Sequence, residues 1–429
     1  MLLVVNILTL HIDNKDHTHQ SHPEEKNGEL EDFDITIWPP MKRVLCVKGA
    51  PNLRLASLLF RLARFEVFEK GFGEPYGTGE RLFAPTRQLD SFWTDKDDKD
   101  KRGPMNENVR NFFAGGGTKN QNGFFAGDFG GATLVRGWNE NGMNVTTLYV
   151  RIYKCANKQI KYMENELAKR MNFGGGQEEI LTLSEALDRV KESDPRNQHR
   201  SNVSAATDML PPPCIYTAVR DPISHFLSGY NEVEFRIATG EEFGHNIKTA
   251  PYHFRIPYSK SSPDLRRKRF QALVEDLLLE EPILSYQQYK HFFPMSRVLS
   301  VLATHGVALT GYIPTIANVT STWPEFMSST CQGYPTREKI EKVLRNDSAV
   351  ELANGGHRSS LDKLGFYEAA KEVWREGGPI ARALCLLHAF DYACFEDLPE
   401  GIPELCRAVY REYSDEIALN HSDTMGSAM

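Results

Sequence analysis

Apolar residues along the chain switch between short unbroken runs and a three-to-four-residue spacing, the pattern of strands feeding into helices. "RVLCVKG" (43–49) reads as a short strand, and "NLRLASLLFRLARF" (52–65) as an amphipathic helix. "NVTTLYVRIY" (144–153) is rich in β-branched and aromatic residues and predicts a strand. In the segment after it Ile160, Met163 and Leu167 recur at helical spacing, with Gly174, Gly175 and Gly176 as the stop. A further helix is expected over 180–192. "CIYTAV" (214–219) is a continuous apolar run suited to a buried strand, and helices are predicted over 222–237, 264–280, 336–345, 360–376 and 379–394. Strands followed by helices, with a helical C-terminal half, predict an α/β layered fold whose central sheet is mainly parallel and flanked by helices.

Polar stretches divide the chain. Residues 1–40 form an N-terminal arm that opens on "MLLVVNILTLHIDNKDH". Its apolar run is about half of what a bilayer span requires, and it lacks the basic flank of a signal peptide. It reads either as the remnant of a signal-anchor or as an ordinary first strand. Residues 71–142 are rich in Gly, Asn and Asp and predict a loop-rich insertion. One domain over 41–410 and a tail over 411–429 complete the division.

Composition narrows the partners. The 429 residues carry a net charge of -7, which argues against a general nucleic-acid binder, since such proteins need a basic surface to displace counterions. An anionic ligand must then be met by local positive charge. The seven cysteines fit either a reducing compartment or a secreted enzyme with a few bridges. Asn-x-Ser/Thr sequons at Asn144, Asn202, Asn318 and Asn346 lean toward the secretory pathway.

Two strand-to-helix turns carry candidate chemistry. The run "LYVRIY" leads into Lys154, the loop Cys155-Ala156-Asn157-Lys158, and then Gln159-Ile160 on a helix. Loop N–H groups, the positive helix end and a lysine ammonium at one point suit a phosphate. The glycines and the Lys-Ser/Thr ending of a Walker A loop are missing. "VLCVKGAPNLRLASLL" (44–59), with Lys48, is a competing strand-lysine-helix. In "CIYTAVRDPISHFLSGY" (214–230), Asp221 suits an N-cap and Pro222 the first helical position. Ile223, Phe226, Leu227 and Tyr230 form an apolar stripe, while Ser224 and Ser228 share another face. Arg220 stands at the carboxyl end of a strand, where open α/β sheets bind ligands.

Arg220-Asp221-Pro222-x-x-His225-x-x-Ser228-x-Tyr230 resembles the 3′-phosphate-binding segment of sulfotransferases that use 3′-phosphoadenosine 5′-phosphosulfate (PAPS). Residues 153–160 are similar in layout to that family's 5′-phosphosulfate loop, 66 residues before Arg220, a separation like that of its Golgi carbohydrate sulfotransferases. Weaker echoes lie at 291–316 and 386–398. The resemblance implies a P-loop-like sulfotransferase fold, PAPS as co-substrate, a carbohydrate or other hydroxyl acceptor, no metal, and a Golgi or secretory location, with a cytoplasmic one as alternative. Lys154 would hold the 5′-phosphate and stabilise the leaving group. Residues Cys155, Ala156, Asn157, Lys158 and Gln159 would complete the cradle, and Arg220 and Ser228 would grip the 3′-phosphate. His199 is the candidate base, with Glu164, Glu166, Glu178 and Glu179 as rivals.

Departures from the family pattern are specific. Tyr153 stands for a proline, Lys158 for a Thr or Ser hydroxyl, His225 for an arginine, and the glutamate expected near Pro314 is absent. They keep open a non-catalytic nucleotide- or glycan-binding protein on a degenerate sulfotransferase fold. Other features read as structural: Cys385, His388, Cys394 and Cys406 as core packing rather than a zinc site, and "LRRKRF" (265–270) as a solvated basic face or a grip on an anionic glycan.

Overall fold

The computed structural model describes residues 37–70, 109, 112–114, 131–138, 144–170, 177–180, 182–193, 211–239, 262–278, 291–345 and 364–419. In chain order the first elements are α1 (Trp38–Leu45), β1 (Cys46–Val47), β2 (Ala50–Pro51), α2 (Ala56–Phe68), β3 (Ala132–Trp138) and β4 (Asn144–Val150). Then come α3 (Asn157–Arg170), β5 (Gln177–Ile180), α4 (Leu183–Ser193), β6 (Cys214–Ala218), α5 (Pro222–Thr239), α6 (Pro263–Leu278), α7 (Arg297–Thr304) and β7 (Gly311–Ile313). The C-terminal part is helical: α8 (Val319–Thr330), α9 (Arg337–Arg345), α10 (Phe366–Arg375), α11 (Pro379–Leu387), α12 (Ala389–Cys394) and α13 (Glu404–Glu412).

The main sheet runs β5-β3-β4-β6-β7. β4, β6 and β7 are parallel, whereas β3 is antiparallel to both β4 and β5. The expectation of a mainly parallel sheet is therefore corrected: the fold is mixed α/β, mostly helical, with a small mixed sheet. The two added strands lie in sequence surroundings that read as loop. β3 falls inside the segment read as a loop-rich insertion, and β5 reads Gln-Glu-Glu-Ile. Pairing on both edges, together with burial of Ala132, Leu134 and Val135 in the core, makes Ala132–Trp138 a strand.

Other boundaries also moved. Residues 43–45 continue α1, which Pro39 and Pro40 open; of the expected strand Cys46–Val47 forms β1, and Lys48 sits in the turn of the small β1–β2 hairpin. The helix expected over 379–394 breaks at His388, which caps α11 and opens α12; Asp391 Oδ2 lies 2.9 Å from its Nδ1. Within the expected tail, Tyr413 and Ile417 are buried in the core. The N-terminal run, and with it the choice between anchor and strand, lies outside the described residues. Among those described, no helix is long and apolar enough to cross a membrane.

α5 shows why this chain folds as it does. Asp221 Oδ1 accepts the N–H of Ser224 at 2.6 Å, and its Oδ2 accepts the Tyr392 hydroxyl at 3.1 Å. The buried stripe of Ile223, Phe226, Leu227, Tyr230 and Val233 presses into the core. Phe226 meets Phe292 and Phe270, and Tyr230 meets Phe270 edge-on. At Gly229 a Cβ would stand 2.3 Å from the His291 carbonyl oxygen, so the helix can approach that loop only with glycine.

Six cysteines are bridged: Cys46–Cys394, Cys214–Cys331 and Cys385–Cys406; Cys155 is free and buried. Cys385 and Cys406 are buried in the core as expected and Cys394 packs against it, and all three are in addition covalently linked. The basic run 265–270 is only partly a solvated face: Lys268 is exposed and Arg266 and Arg267 half-buried, but Arg269 is buried. Arg269 makes a two-pronged ion pair with buried Glu234, at 3.0 and 3.1 Å, and Arg267 pairs with Glu376, fastening α6 to α5 and α10.

Candidate functional site

Parallel neighbours β4 and β6 end side by side and deliver the two turns singled out above. After β4, Lys154 and Ala156 adopt left-handed conformations, with φ of 67° and 56°. Such backbone is unfavourable for non-glycine residues and persists where its surroundings hold it. Here the holders are identifiable. The Tyr149 hydroxyl reaches the Cys155 carbonyl at 3.2 Å and Asn157 Oδ1 at 2.7 Å. His225 Nε2 lies 2.8 Å from the Tyr153 carbonyl. The loop closes on itself through Cys155 N–H to Ile152 O, and Ile160 N–H reaches back to the Ala156 carbonyl as α3 begins. The N–H groups of an opening helical turn point out from the helix end toward this loop.

Arg220, at the end of β6, aims its Nη1 at the Lys154 carbonyl, 3.5 Å away. Arg220, Ser224 and Ser228 are half-buried, whereas Asp221, Pro222, Ile223, His225, Phe226 and Leu227 are buried. The arginine and both serines thus lie on the partly open side of the helix. Continuing that side by one turn brings Glu232, and by another Arg236. Glu232 Oε2 accepts Lys154 Nζ at 2.6 Å, and its Oε1 accepts Arg236 Nε. Burial pulls the Lys154 pKa down, and the Glu232 carboxylate opposes that pull.

The predicted residues other than His199 have definite places. Lys154 and Arg220 come together. Ser228 shares its helix side with the carboxylate that holds Lys154. Asn157 and Gln159 are half-buried at the start of α3, and Lys158 is exposed. The Cys155 side chain turns inward: its sulfur lies 3.8 Å from that of Met295, and burial pushes its thiol up to about 12. Only its backbone can face an anion. His225, standing where the family pattern has arginine, is also turned inward, and burial lowers its pKa to about 3. Lys48, in its own hairpin, is not on the main sheet.

Among the candidate bases, Glu164 is fully buried and accepts the Tyr216 hydroxyl at 2.7 Å, which in turn accepts Trp323 Nε1–H at 2.9 Å. Burial raises its pKa to about 8, so it holds its proton at neutral pH. Glu166 pairs with Lys169 and Arg170 on the surface of α3. Glu178 and Glu179 are on β5, paired in register with Leu134 and Thr133. His199 lies outside the described residues. Among the described residues no cluster of His, Cys, Asp and Glu forms a metal site. Glu232 and Arg236 escaped the sequence reading, although extending the Ser224–Ser228 spacing by four and eight residues reaches both.

Comparison with known proteins adds little to this geometry. No family model matches the chain, and no solved structure matches it. One stretch is 27% identical over 156 residues to the RNA-directed RNA polymerase beta chain of Enterobacteria phage fr, covering 34% of this chain and 27% of the phage protein. The chain thus spans about a quarter of the length of that relative.

Proposed function

We propose that the chain is a PAPS-dependent sulfotransferase on a P-loop-like fold, moving a sulfuryl group to a hydroxyl of an acceptor of the carbohydrate class. One observation carries the reading: the Arg220 guanidinium lies against the Lys154 carbonyl, so the two motifs that resemble the family's phosphate-binding segments share one sheet edge. Their separation in sequence is bridged by the parallel pairing of β4 with β6.

In this reading the loop from Tyr153 to Gln159 receives the 5′-phosphosulfate, with Lys154 as its cation. Arg220 and Ser228 receive the 3′-phosphate, the guanidinium by paired charge-assisted hydrogen bonds and the serine by its hydroxyl. The acceptor oxygen attacks sulfur in line, the bond from sulfur to the phosphate oxygen breaks, and adenosine 3′,5′-bisphosphate leaves. Lys154 stabilises the charge that develops on the departing oxygen. The acceptor proton passes to a base, the role assigned to His199. Glu164 is unsuited to that role, because it is buried and protonated. The transfer needs no metal.

Three disulfides support a location in an oxidising compartment, the Golgi lumen in this reading. A second reading, nucleotide binding without transfer, is favoured by one feature: Lys154 is already engaged by a buried carboxylate. Transfer of labelled sulfate from PAPS to a glycan panel separates the two. Incorporation that disappears in Lys154→Ala supports the enzyme; nucleotide binding without incorporation on any glycan supports the relic.

A further inference from the structure

The Glu232 carboxylate holds two cations at once, one on each oxygen. Lys154 Nζ sits 2.6 Å from Oε2, and Arg236 Nε donates to Oε1. The side chain of Glu232 is 2% exposed and that of Lys154 14%, while Arg236, at 26%, reaches toward solvent. A buried carboxylate deprived of its cation is strongly destabilised, so a lysine paired with Glu232 alone would be trapped there. Arg236 lifts that restriction: Lys154 can leave Oε2 while Oε1 stays neutralised. Glu232 also lies one helical turn beyond Ser228, so the lysine's present position and the proposed phosphate site are neighbours along one helix side.

We propose that Glu232 is a positioning residue: with Arg236 it forms a dock on which Lys154 rests in the empty site and from which it passes to the nucleotide's 5′-phosphate. The proposal rests on the reading of Lys154 as a phosphate ligand. The dock does two things. Its carboxylate keeps a largely buried lysine charged against the pull of burial and of the nearby Arg236 and Arg220 cations. It also makes release tolerable, because the carboxylate keeps its guanidinium throughout. No bond is made or broken in this step; an ammonium exchanges one anionic partner for another.

Calorimetric titration of the whole chain with adenosine 3′,5′-bisphosphate tests this. Arg236→Gln should weaken binding by about tenfold or more, because releasing Lys154 then takes the second of these two cations from a buried carboxylate. In a Glu232→Gln background the same Arg236→Gln change should alter affinity by less than about twofold. Glu232→Gln alone should bind at least as tightly as wild type near pH 7 and lose affinity earlier than wild type as pH rises, because Lys154 without that carboxylate sheds its proton more readily. Equal weakening by Arg236→Gln in both backgrounds would mean that Arg236 touches the nucleotide itself, and would overturn the proposal. An Arg236→Gln protein that binds like wild type would overturn it too, and because Arg236 is partly exposed this variant stays informative if Glu232→Gln fails to fold. Failure of the underlying reading looks different: wild type would not bind the nucleotide, or Lys154→Ala would bind it as well as wild type does.

Discussion

At the scale of single residues, buried titratable groups rather than surface charges set the behaviour of the site. Glu164 has a folded-state pKa of about 8 against an ordinary 4.5, so the folded protein binds the extra proton between those values. Its contribution to stability is fully present below about 4.5 and is lost as pH rises toward 8. His225 acts with the opposite sign: burial lowers its pKa from 6.5 to about 3, so stability is gained as pH rises through that window. Between 6.5 and 8 only Glu164 of this pair still titrates, and stability should decline there by about 2 kcal/mol. Denaturant titrations of Glu164→Gln should show that decline flattened; an unchanged slope would remove Glu164 as its source. Arg220→Ala should weaken adenosine 3′,5′-bisphosphate binding by about 2–5 kcal/mol, as expected for truncating one partner of a charge-assisted contact. Lys154, Arg220 and Ser228 could be named from the sequence because their turns have recognisable spelling. The helical spacing reaches Glu232 as well, but its pairing with Lys154, 78 residues away, is made only by the fold. His225 was visible as a departure from a pattern, but its inward orientation, under the Tyr153 carbonyl, is set by packing alone.

At the scale of elements, the strongest signals in the sequence were those whose local chemistry and packing agree. α5 has its cap, its opening proline and its apolar stripe in one short stretch, and it forms as read. β3 was missed because its short apolar run is set among Gly, Asn and Asp residues that read as loop, and β5 because the polar stretch Gln-Glu-Glu-Ile becomes a strand only by pairing with β3. The break at His388 was likewise hidden, since residues 379–394 are mostly apolar with no glycine or internal proline to mark a stop, and the turn depends on Asp391 reaching back to the imidazole and accepting the Ser296 N–H at 2.7 Å. The close approach of α5 to the loop at His291 makes Gly229 a sensitive position. Gly229→Ala should destabilise the protein by about 1–3 kcal/mol, because backbone rather than a flexible side chain must yield. Thermal denaturation checks this, and a melting temperature equal to wild type would show that the helix can shift without penalty.

At the scale of the whole molecule, three covalent links tie regions that sequence distance keeps apart. Cys46–Cys394 closes a separation of 348 residues and joins the β1–β2 hairpin to the end of α12. Replacing that pair by serines should lower stability by about 2–5 kcal/mol, read as a lower denaturant midpoint in oxidised protein, with reduced wild type falling toward the variant. The odd cysteine count had allowed either compartment; pairing needed the fold, because connectivity is not encoded in spacing. The net charge of -7 also takes on meaning at this scale: an acidic chain concentrates Lys154, Arg220 and Arg236 at one sheet edge, where an anion can be held locally. The most direct test of that account is the thermal shift produced by adenosine 3′,5′-bisphosphate compared with adenosine 5′-monophosphate on wild-type chain and on Arg220→Ala. The account predicts a clear rise in melting temperature with the bisphosphate, a much smaller one with the monophosphate, and loss of the difference in the variant. Equal shifts from the two nucleotides on wild-type protein would contradict it, since Arg220 and Ser228 would then not be reading a 3′-phosphate.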